Sequence, residues 1–272
     1  MRITCLVDNS VKEGSLFWGE HGLAFLLETP DGRVLFDTGA SGTVLTHNMA
    51  LAGIELSSLS AVALSHSHPD HSGGLPDLLE RRPGLPLYGS PALFRERFSL
   101  RDGRATARGL PLTPDVRTNL GKLCLDVEPL QVLPGVWTTG AITERNEPEG
   151  RSAAHVVRQG EGWAPDPYED DLALLLETAG GVLVCGCCHA GLLNTLAHVK
   201  RTFGVDPAAV VGGTHLITAD AAQLAHLVDV LRPLGPPALY LNHCTGQTAF
   251  VALAQAFGSC VMPFPAGSVL DL

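Results

Sequence analysis

The sequence predicts a mixed fold in which two similar αβ units surround one hydrophobic core. The chain has 272 residues, which is ample for a buried core. Hydrophobic residues make up 45% and charged residues 17%, a composition typical of globular proteins. Strand-like runs are followed by helix-like segments in both halves of the chain. This pattern favours sheets that are covered by helices.

The first half is predicted to contain a hairpin and an alternation of helices and strands. The turn residues Pro30-Asp31-Gly32 separate two apolar runs, which indicates a β-hairpin. A short apolar run at 61–64 precedes a polar cluster and is typical of a buried strand. The predicted elements are a strand at 1–9, hairpin strands at 23–28 and 34–36, a helix at 44–52, a strand at 61–64 and a helix at 75–80.

The second half repeats the pattern with longer helices. Leu224, Leu227 and Leu231 share one face of a helical segment, as expected for a helix packed on a sheet. Paired glycines at 180–181 mark a turn between two apolar runs. The predicted strands lie at 136–140, 172–177, 182–185, 208–211 and 238–241, and the predicted helices at 192–203, 221–231 and 249–257.

Two long segments lack a clear period and are predicted to be irregular. Residues 91–130 are rich in Arg, Gly and Pro, and we expect an excursion over the surface. Residues 144–171 are polar and also rich in Gly and Pro, and we expect a long loop. Loops of this length are often functional. We therefore expect both segments to lie partly over a functional site.

The charge balance restricts the partners of the protein. Lys and Arg number 18 against 28 Asp and Glu, a formal charge of -10. A nucleic-acid or anionic-membrane binder needs a basic face, so neither partner is expected. The apolar runs are strand-sized and no signal peptide is recognisable, which favours a cytoplasmic protein. Seven cysteines in such a chain do not predict a disulfide framework.

The most informative stretch is a cluster of three histidines and one aspartate within six positions. His66 and His68 are two residues apart, so on an extended segment both side chains project to the same side. Asp70 and His71 follow where the chain turns towards a helix, and adjacent residues there diverge, so they can serve a second centre. Imidazole and carboxylate together suit Zn²⁺, Fe or Mn²⁺.

Other candidate ligands stand directly after predicted strands. His189, His215 and His243 each follow an apolar run, and Asp37 follows the run at 34–36. Sites in αβ sheets lie beyond the carboxyl ends of strands. A shared metal centre explains these positions together better than separate structural roles do.

These residues resemble the metallo-β-lactamase superfamily. The matching features are Asp37 in Phe-Asp-Thr-Gly, the cluster from His66 to His71, His189 and His243, and they span nearly the whole chain. The resemblance implies an α+β protein built as a four-layer αβ/βα sandwich, with metal ions at one edge of the two sheets. It further implies a single domain over residues 1–272.

A narrower resemblance is to one branch of the superfamily. This branch contains metal-dependent hydrolases similar to 7,8-dihydropterin-6-yl-methyl-4-(β-D-ribofuranosyl)aminobenzene 5'-phosphate synthase. The segments that carry it are Glu20-His21-Gly22-Leu23, Asp166-Pro167-Tyr168-Glu169-Asp170-Asp171, Gly186-Cys187-Cys188-His189-Ala190-Gly191, Gly212-Gly213-Thr214-His215-Leu216 and His243-Cys244-Thr245-Gly246.

The resemblance also implies roles for individual residues. Asp37 is expected to orient the histidines, since groups that hydrogen-bond to metal ligands fix their geometry. Zinc is the expected metal, as one or two ions, with Mn²⁺ or Fe as alternatives. The ligands implied are His66, His68 and His189 for a first ion, and Asp70, His71 and His243 for a second.

The chain departs from the superfamily at one position. Most members carry a bridging Asp, which by its order along the chain falls near His189 or His215, and no Asp stands at either place. Two roles for His215 stay open: a metal ligand in place of that Asp, or a contact to the substrate. Occupancy of the second metal site depends on which residue fills the bridging position.

The implied function is that of a metal-dependent hydrolase with a metal-activated water. Asp70 is expected to orient the water and accept its proton, and His215 is the other candidate catalytic residue. A small anionic substrate, phosphorylated or pterin-like, is expected to contact His21, Thr245 and Gly246. An ordinary helix N-cap explains the last two residues equally well. The alternatives are a transferase that condenses a pterin diphosphate with an amine, and a ligand-binding protein without catalysis.

Several residues of similar chemistry receive a structural interpretation. Cys185-Gly186-Cys187-Cys188-His189 matches a haem-attachment pattern, but that role would compete for His189. Cys187 and Cys188 are expected to be small core residues, with a peripheral ligand or an oxidation-sensitive thiol as the alternative. The four histidines without a motif, expected to be exposed or structural, are His47, His155, His198 and His226.

Overall fold

Two seven-stranded sheets form the centre of the computed structural model, which describes residues 1–111 and 113–272. In the first half of the chain the strands are β1 (Arg2–Val7), β2 (Ala24–Thr29), β3 (Gly32–Phe36), β4 (Ala61–Ala63), β5 (Leu87–Gly89), β6 (Arg97–Arg101), β7 (Arg104–Ala107), β8 (Leu123–Leu125) and β9 (Gln131–Leu133). In the second half they are β10 (Val136–Thr138), β11 (His155–Gln159), β12 (Gly162–Pro165), β13 (Ala173–Leu176), β14 (Val182–Cys185), β15 (Ala209–Gly212), β16 (Ala238–Leu241), β17 (Val261–Pro263) and β18 (Val269–Asp271).

The two large sheets have mirror-like strand orders. The first runs β18-β1-β2-β3-β4-β5-β8, and the second runs β17-β16-β15-β14-β13-β10-β9. Each sheet has an antiparallel part and a parallel part. The parallel strands are β3, β4, β5 and β8 in the first sheet and β14 to β17 in the second. The predicted hairpin is present, with Phe25 paired to Phe36.

The helices cover the outer faces of the sheets. Those of the described residues are α1 (Gly42–Leu51), α2 (Pro69–Ser72), α3 (Leu75–Arg81), α4 (Pro114–Asn119), α5 (Leu192–Phe203), α6 (Ala221–Leu231) and α7 (Gln247–Phe257), together with short 3₁₀ turns. No helix in this described part is long and apolar enough to cross a membrane.

The four layers follow from strands that are apolar on both faces. In β2, Phe25 and Leu27 point into the core between the sheets, whereas Ala24 and Leu26 point to the helices outside. This alternation with period two buries both faces of the strand. Helices α1 and α3 pack on the first sheet, and α5, α6 and α7 on the second. The α+β sandwich expected from the sequence is therefore confirmed.

The regular parts of the chain match the sequence predictions within two residues at each end, but the two segments predicted to be irregular do not. Residues 91–130 and 144–171 instead supply a third sheet of the order β12-β11-β6-β7. Strands β6 and β7 form a hairpin at Asp102-Gly103, where both residues have positive φ. The pairing of β6 with β11 joins positions more than fifty residues apart, so no local pattern predicts it. Strand β7 is exposed throughout and gives no apolar alternation.

Candidate metal centre

The candidate ligands gather at one edge of the two large sheets. Asp37 follows β3, His66 and His68 follow β4, and the one-turn helix α2 carries Asp70 and His71. On the second sheet Cys187 and His189 follow β14, His215 follows β15 and His243 follows β16. Parallel strands present their carboxyl ends at the same edge, which is why residues from both halves of the chain meet there.

Four histidines are held through Nδ1, so that their Nε2 atoms remain available. The Nδ1 of His66 lies 2.8 Å from Ser65 Oγ, and that of His71 lies 2.7 Å from Asp37 Oδ2. The Nδ1 of His189 lies 2.6 Å from the Gly150 carbonyl, and that of His243 lies 2.9 Å from Asn9 Oδ1. When the ring is neutral, an acceptor at Nδ1 selects the tautomer with a lone pair on Nε2, which is the form that binds metal.

A first group of donors surrounds the end of β4. His66 Nε2 lies 3.0 Å from His68 Nδ1, and the His189 ring stands edge-on to both rings. His189 Nε2 is buried and has no hydrogen-bond partner among the described residues. Burial lowers the pKa of His66, His68 and His189 well below the ordinary value, so all three are neutral. Buried neutral imidazoles with unused lone pairs fit a divalent cation.

A second group lies beside it. His71 Nε2 is 3.1 Å from His243 Nε2 and 3.7 Å from Asp70 Oδ2, and His243 Nε2 is 3.4 Å from the same oxygen. Burial raises the pKa of Asp70, but the adjacent His71 and His243 outweigh it and hold that pKa well below its usual range. The carboxylate is therefore ionised and supplies the negative charge that a cation site needs.

The thiol of Cys187 belongs to both groups. Its Sγ lies 3.1 Å from His71 Nε2. Donor atoms of Asp70, His71, Cys187 and His243 all lie within 4.8 Å of one another, and so do those of His66, Cys187 and His189. The sequence interpretation of Cys187 as a small core residue does not anticipate this position.

Asp37 supports both groups through hydrogen bonds, directly to His71 and through Ser65 to His66. It accepts hydrogen bonds from the Ser65 backbone N–H (2.7 Å), from Ser65 Oγ (2.7 Å) and from His71 Nδ1. Burial lowers the pKa of His71, but Asp37 and Asp70 raise it by more, so the net shift is upwards. A Cβ at Gly186 would stand 2.1 Å from Ser65 Oγ and 2.9 Å from Asp37 Oδ2, which explains glycine at this position.

Backbone strain is concentrated at this edge. Six non-glycine residues of the described chain have positive φ, and all except Asp102 belong to the site or its wall: Asp37, Tyr168, Cys188, His215 and His243. Such conformations cost on the order of 1–3 kcal/mol each and persist where the surrounding structure fixes them. Five of these six residues therefore lie at the edge that carries the candidate ligands.

Comparison with known proteins agrees with this geometry. Residues 18–184 match the Metallo-beta-lactamase superfamily. The chain belongs to this superfamily. It is 29% identical, over 282 aligned positions, to the 7,8-dihydropterin-6-methyl-4-(beta-D-ribofuranosyl)-aminobenzene-5'-phosphate synthase of Methanocaldococcus jannaschii. The alignment covers 99% of this chain and 96% of the relative.

Solved structures of the superfamily share the fold. Tm1679, described as a metal-dependent hydrolase of the beta-lactamase superfamily, superposes with a TM-score of 0.85 at 27% identity, covering 100% of this chain and 99% of that one. Zn²⁺-bound PqqB from Methylobacterium extorquens superposes with a TM-score of 0.58 at 14% identity, covering 100% of both chains. The second likeness concerns the fold alone.

In this member of the superfamily, His215 stands at the rim of the first donor group. Its ring centroid lies 4.3 Å from that of His189, and its Nδ1 is buried without a partner in the described structure. Burial lowers the pKa of His215 to about 4, so the ring is neutral at pH 7. His215 also lines a cavity of about 400 Å³, together with Gly150, Arg151, Ser152, Gln223 and His226.

His21, Thr245 and Gly246, the three residues expected to contact substrate, differ from one another in their position relative to the site. His21 is exposed, with Nε2 3.5 Å from Asp70 Oδ2 and its ring stacked on His243, so it stands at the mouth of the second group. Thr245 is buried and accepts a hydrogen bond from Thr214 Oγ1. Gly246 has a φ of 78°, and a Cβ there would stand 2.8 Å from Ile217 Cα. Backbone geometry thus accounts for Gly246, and the described lining of the cavity includes Thr214 instead of these two residues.

Two carboxylates of the acidic run 169–171 hold the loops that carry the histidines, whereas its place ahead of a strand predicts only that one of them reaches the site. Asp170 Oδ2 accepts from the backbone N–H of Ser67, between His66 and His68. Asp171 Oδ2 accepts from the backbone N–H of Ala190, next to His189. Neither the acidic run nor the resemblance carried by residues 166–171 reveals which loops these two residues contact.

An aromatic wall completes the site and was also missed. Tyr168 stacks on His189 with ring centroids 4.2 Å apart, and its Oη lies 2.8 Å from His155 Nδ1. The His155 ring stands edge-on to His68 at 4.8 Å. His155 is therefore a structural histidine, but one at the site.

His226 lines the cavity and pairs with Glu147. His47 stacks on Trp18, and His198 contacts the Thr139 carbonyl, away from the site.

Proposed function

We propose that this protein is a metal-dependent hydrolase that acts on a small anionic substrate, phosphorylated or pterin-like. One observation carries the proposal. At one edge of the sheets lie imidazole nitrogens from both sheets, the Asp70 carboxylate and the Cys187 thiol. In four of these rings Nδ1 is already hydrogen-bonded to an acceptor, which leaves Nε2 for a metal ion. Imidazole, thiolate and carboxylate form the donor set that favours zinc.

A bound divalent ion would supply the central chemistry by lowering the pKa of a water to about 7 and polarising the scissile bond. The protein residues prepare that step. Asp70 is ionised at neutral pH, so it can accept a hydrogen bond from a water at the mouth of the site and orient it. His215 is neutral at pH 7 and offers a lone pair or an N–H to a substrate atom at the cavity side. The Tyr168 ring covers His189 and limits the access of bulk water from that side.

The cavity beside His215 supports a small substrate with an anionic group. Its volume of about 400 Å³ suits a ligand of metabolite size. Arg151 supplies a guanidinium at the wall, although it also pairs with Glu149 at 2.8 Å. Arg151 is therefore the expected contact for a phosphate, because guanidinium binds phosphate oxygens in a bidentate manner. His21 would contact the opposite end of the substrate at the mouth of the site.

A transferase is the second candidate. The specific observation in its favour is the relative from Methanocaldococcus jannaschii, which is named a synthase and aligns with 99% of this chain. In that reaction class an amine displaces diphosphate, and the same donor groups would stabilise the departing phosphate oxygens. The hydrolase and the transferase then differ in the nucleophile that the cavity admits.

The test is elemental analysis of metal per chain in the wild-type protein and in His68→Ala, followed by a substrate screen. The wild type is expected to contain roughly one or two ions and the variant substantially less, because His68 Nδ1 faces the first donor group. Phosphoesters and diphosphates are then assayed with and without an arylamine. Release of phosphate or alcohol without the amine supports the hydrolase, whereas a condensed product that forms only with the amine supports the transferase.

Two results would contradict the proposal. If the wild type holds no metal even after reconstitution, the protein is a ligand-binding member of the fold without metal catalysis. If metal is bound equally by the wild type and by His68→Ala, the ions lie elsewhere and the assigned centre is wrong.

A further inference from the structure

Among the residues that the structure describes, Cys187 is the one that belongs to both donor groups. Its Sγ is within 4.8 Å of the donor atoms of Asp70, His71 and His243 on one side, and of His66 and His189 on the other. Its Sγ lies 3.1 Å from His71 Nε2. No other described residue appears in both groups.

The local backbone directs this side chain into the centre. Gly186 lets the end of β14 approach Ser65 and Asp37 closely, because any larger residue would overlap Ser65 Oγ. Cys188 then takes a left-handed conformation, with φ at 59°, and turns its own Sγ away to 3.3 Å from Thr195 Oγ1. Two adjacent thiols therefore point in opposite directions, one into the donor groups and one into the helical layer.

The position of Cys187 also bears on the bridging Asp that the sequence lacks. The superfamily resemblance implies a bridging Asp near His189 or His215, and the sequence has an Asp at neither place. Cys187 lies two residues before His189 and stands between the groups where that carboxylate would be needed. The unpartnered Nε2 of buried His189 is directed to the same space, which is an independent sign of a missing ligand.

We propose that Cys187 is the ligand shared by two metal ions, in place of the carboxylate that bridges them in most of the superfamily. The inference rests on the metal binding of the proposed function. The thiol loses its proton to solvent when the ions bind, two metal–sulfur bonds form, and nothing is oxidised or reduced. A thiolate at this position shifts the preference of the site towards zinc and away from Mn²⁺ or Mg²⁺, because sulfur is a soft donor.

The experiment is X-ray absorption spectroscopy of the zinc-loaded wild-type protein with elemental analysis of the same samples. A sulfur scatterer at about 2.3 Å, next to nitrogen or oxygen at about 2.0–2.2 Å, is expected. The Co²⁺-loaded protein should show a thiolate-to-metal charge-transfer band in the near ultraviolet. These readouts need no variant and do not depend on activity.

Two variants assign the sulfur. Cys187→Ser is expected to lose the sulfur scatterer and the charge-transfer band, and to bind roughly one ion where the wild type binds roughly two. Cys188→Ser is the matched control, because Cys188 is an equally buried neighbour that points away, and it should keep both signals. Cys187→Asp should restore two ions without sulfur scattering.

Each contrary outcome has a distinct meaning. Metal bound through nitrogen and oxygen alone overturns the inference but leaves the proposed hydrolase intact. Sulfur ligation with only one ion per chain overturns the shared role. Sulfur that persists in Cys187→Ser assigns the signal to another cysteine and also overturns it. A wild type that binds no metal removes both this inference and the proposed function.

Discussion

Arg97 and Asp170 form an ion pair, 2.6 Å from Nη2 to Oδ1, in which both side chains are fully buried. The guanidinium also donates to both oxygens of Asp166 at 3.0 Å. Asp170 in turn accepts from the backbone N–H of Ser67, between the first two histidines of the donor cluster. A strand of the third sheet is thereby connected to the loop that carries His66 and His68 through a single carboxylate.

Replacing Arg97 with Met should destabilise the fold strongly. The change leaves the carboxylates of Asp166 and Asp170 buried without a cation, and loss of one partner of a buried pair costs about 3–5 kcal/mol. Urea unfolding of both proteins measures the difference. Arg95→Met is the matched control, because Arg95 pairs with Glu169 in a largely exposed position, and it should change stability by less than about 1 kcal/mol. Equal effects of the two changes would contradict the role given to the buried pair.

Replacing Asp37 with Ala should weaken metal binding. Asp37 fixes the tautomer of His71 and, through Ser65, supports His66. Removal of such a partner costs about 10–100-fold in metal affinity. Competition with a chromogenic chelator measures the change in affinity. Asp206→Asn, at an exposed ion pair with Lys200, serves as the control, and a similar affinity loss there would show that the effect is not specific.

Replacing Gly186 with Ala should disturb the centre through a single methyl group. The added Cβ would lie 2.1 Å from Ser65 Oγ and 2.5 Å from Ser65 Cβ, so the Asp37–Ser65 contact must shift. Overpacking of this kind costs about 1–3 kcal/mol, and the loss of metal affinity should accompany it. Gly162→Ala is the comparison, since a Cβ there has only ordinary contact with Gln159 O. Wild-type metal affinity in Gly186→Ala would show that β14 adjusts freely, against this expectation.

The raised pKa of Asp171 predicts a specific pH dependence of the free energy of unfolding. Burial raises its pKa from 3.8 to about 6, although the Ala190 N–H counteracts part of the effect. The folded state therefore binds the proton more tightly than the unfolded state. Relative to Asp171→Asn, which does not titrate, the wild type should be most stable below about pH 4 and should lose up to about 3 kcal/mol as the pH rises to about 7.

Urea unfolding of the metal-free wild type and Asp171→Asn from pH 4 to 8 tests this, because the difference between them cancels the other groups. Both proteins should keep the Ala190 hydrogen bond, since the Asn side-chain oxygen can accept it. Stability curves that remain parallel over this range would show that Asp171 titrates normally.

The parts of the structure that depend on local pattern could be predicted from the sequence. The hairpin at Pro30-Asp31-Gly32 and helices α5 and α6 lie where turn residues and apolar spacing place them. The donor cluster from His66 to His71 was equally visible, because four ligand-type residues within six positions are informative without any knowledge of the fold. The architecture followed from the family resemblance.

The remainder depends on contacts between distant segments. Strands β6 and β11 pair across more than fifty residues, and the polar, exposed strand β7 gives no apolar pattern, so the third sheet was missed. Cys187 and Cys188 are adjacent and chemically identical, and only the left-handed turn at Cys188 distinguishes the thiol that faces the histidines. Asp170 holds Ser67 from 103 positions away, and a single sequence does not contain that information.

The donor groups take side chains from both halves of the sandwich, and His71 and His243 are separated by 172 positions. An ion held there would act as a cross-link that closes a loop of most of the chain, in the way that a long-range disulfide does. The centre can be completed only after the chain has been synthesised beyond His243. Withdrawal of the ion by a chelator would therefore release the two sheets from each other at this edge, and the apparent stability of the entire fold would depend on the free metal concentration.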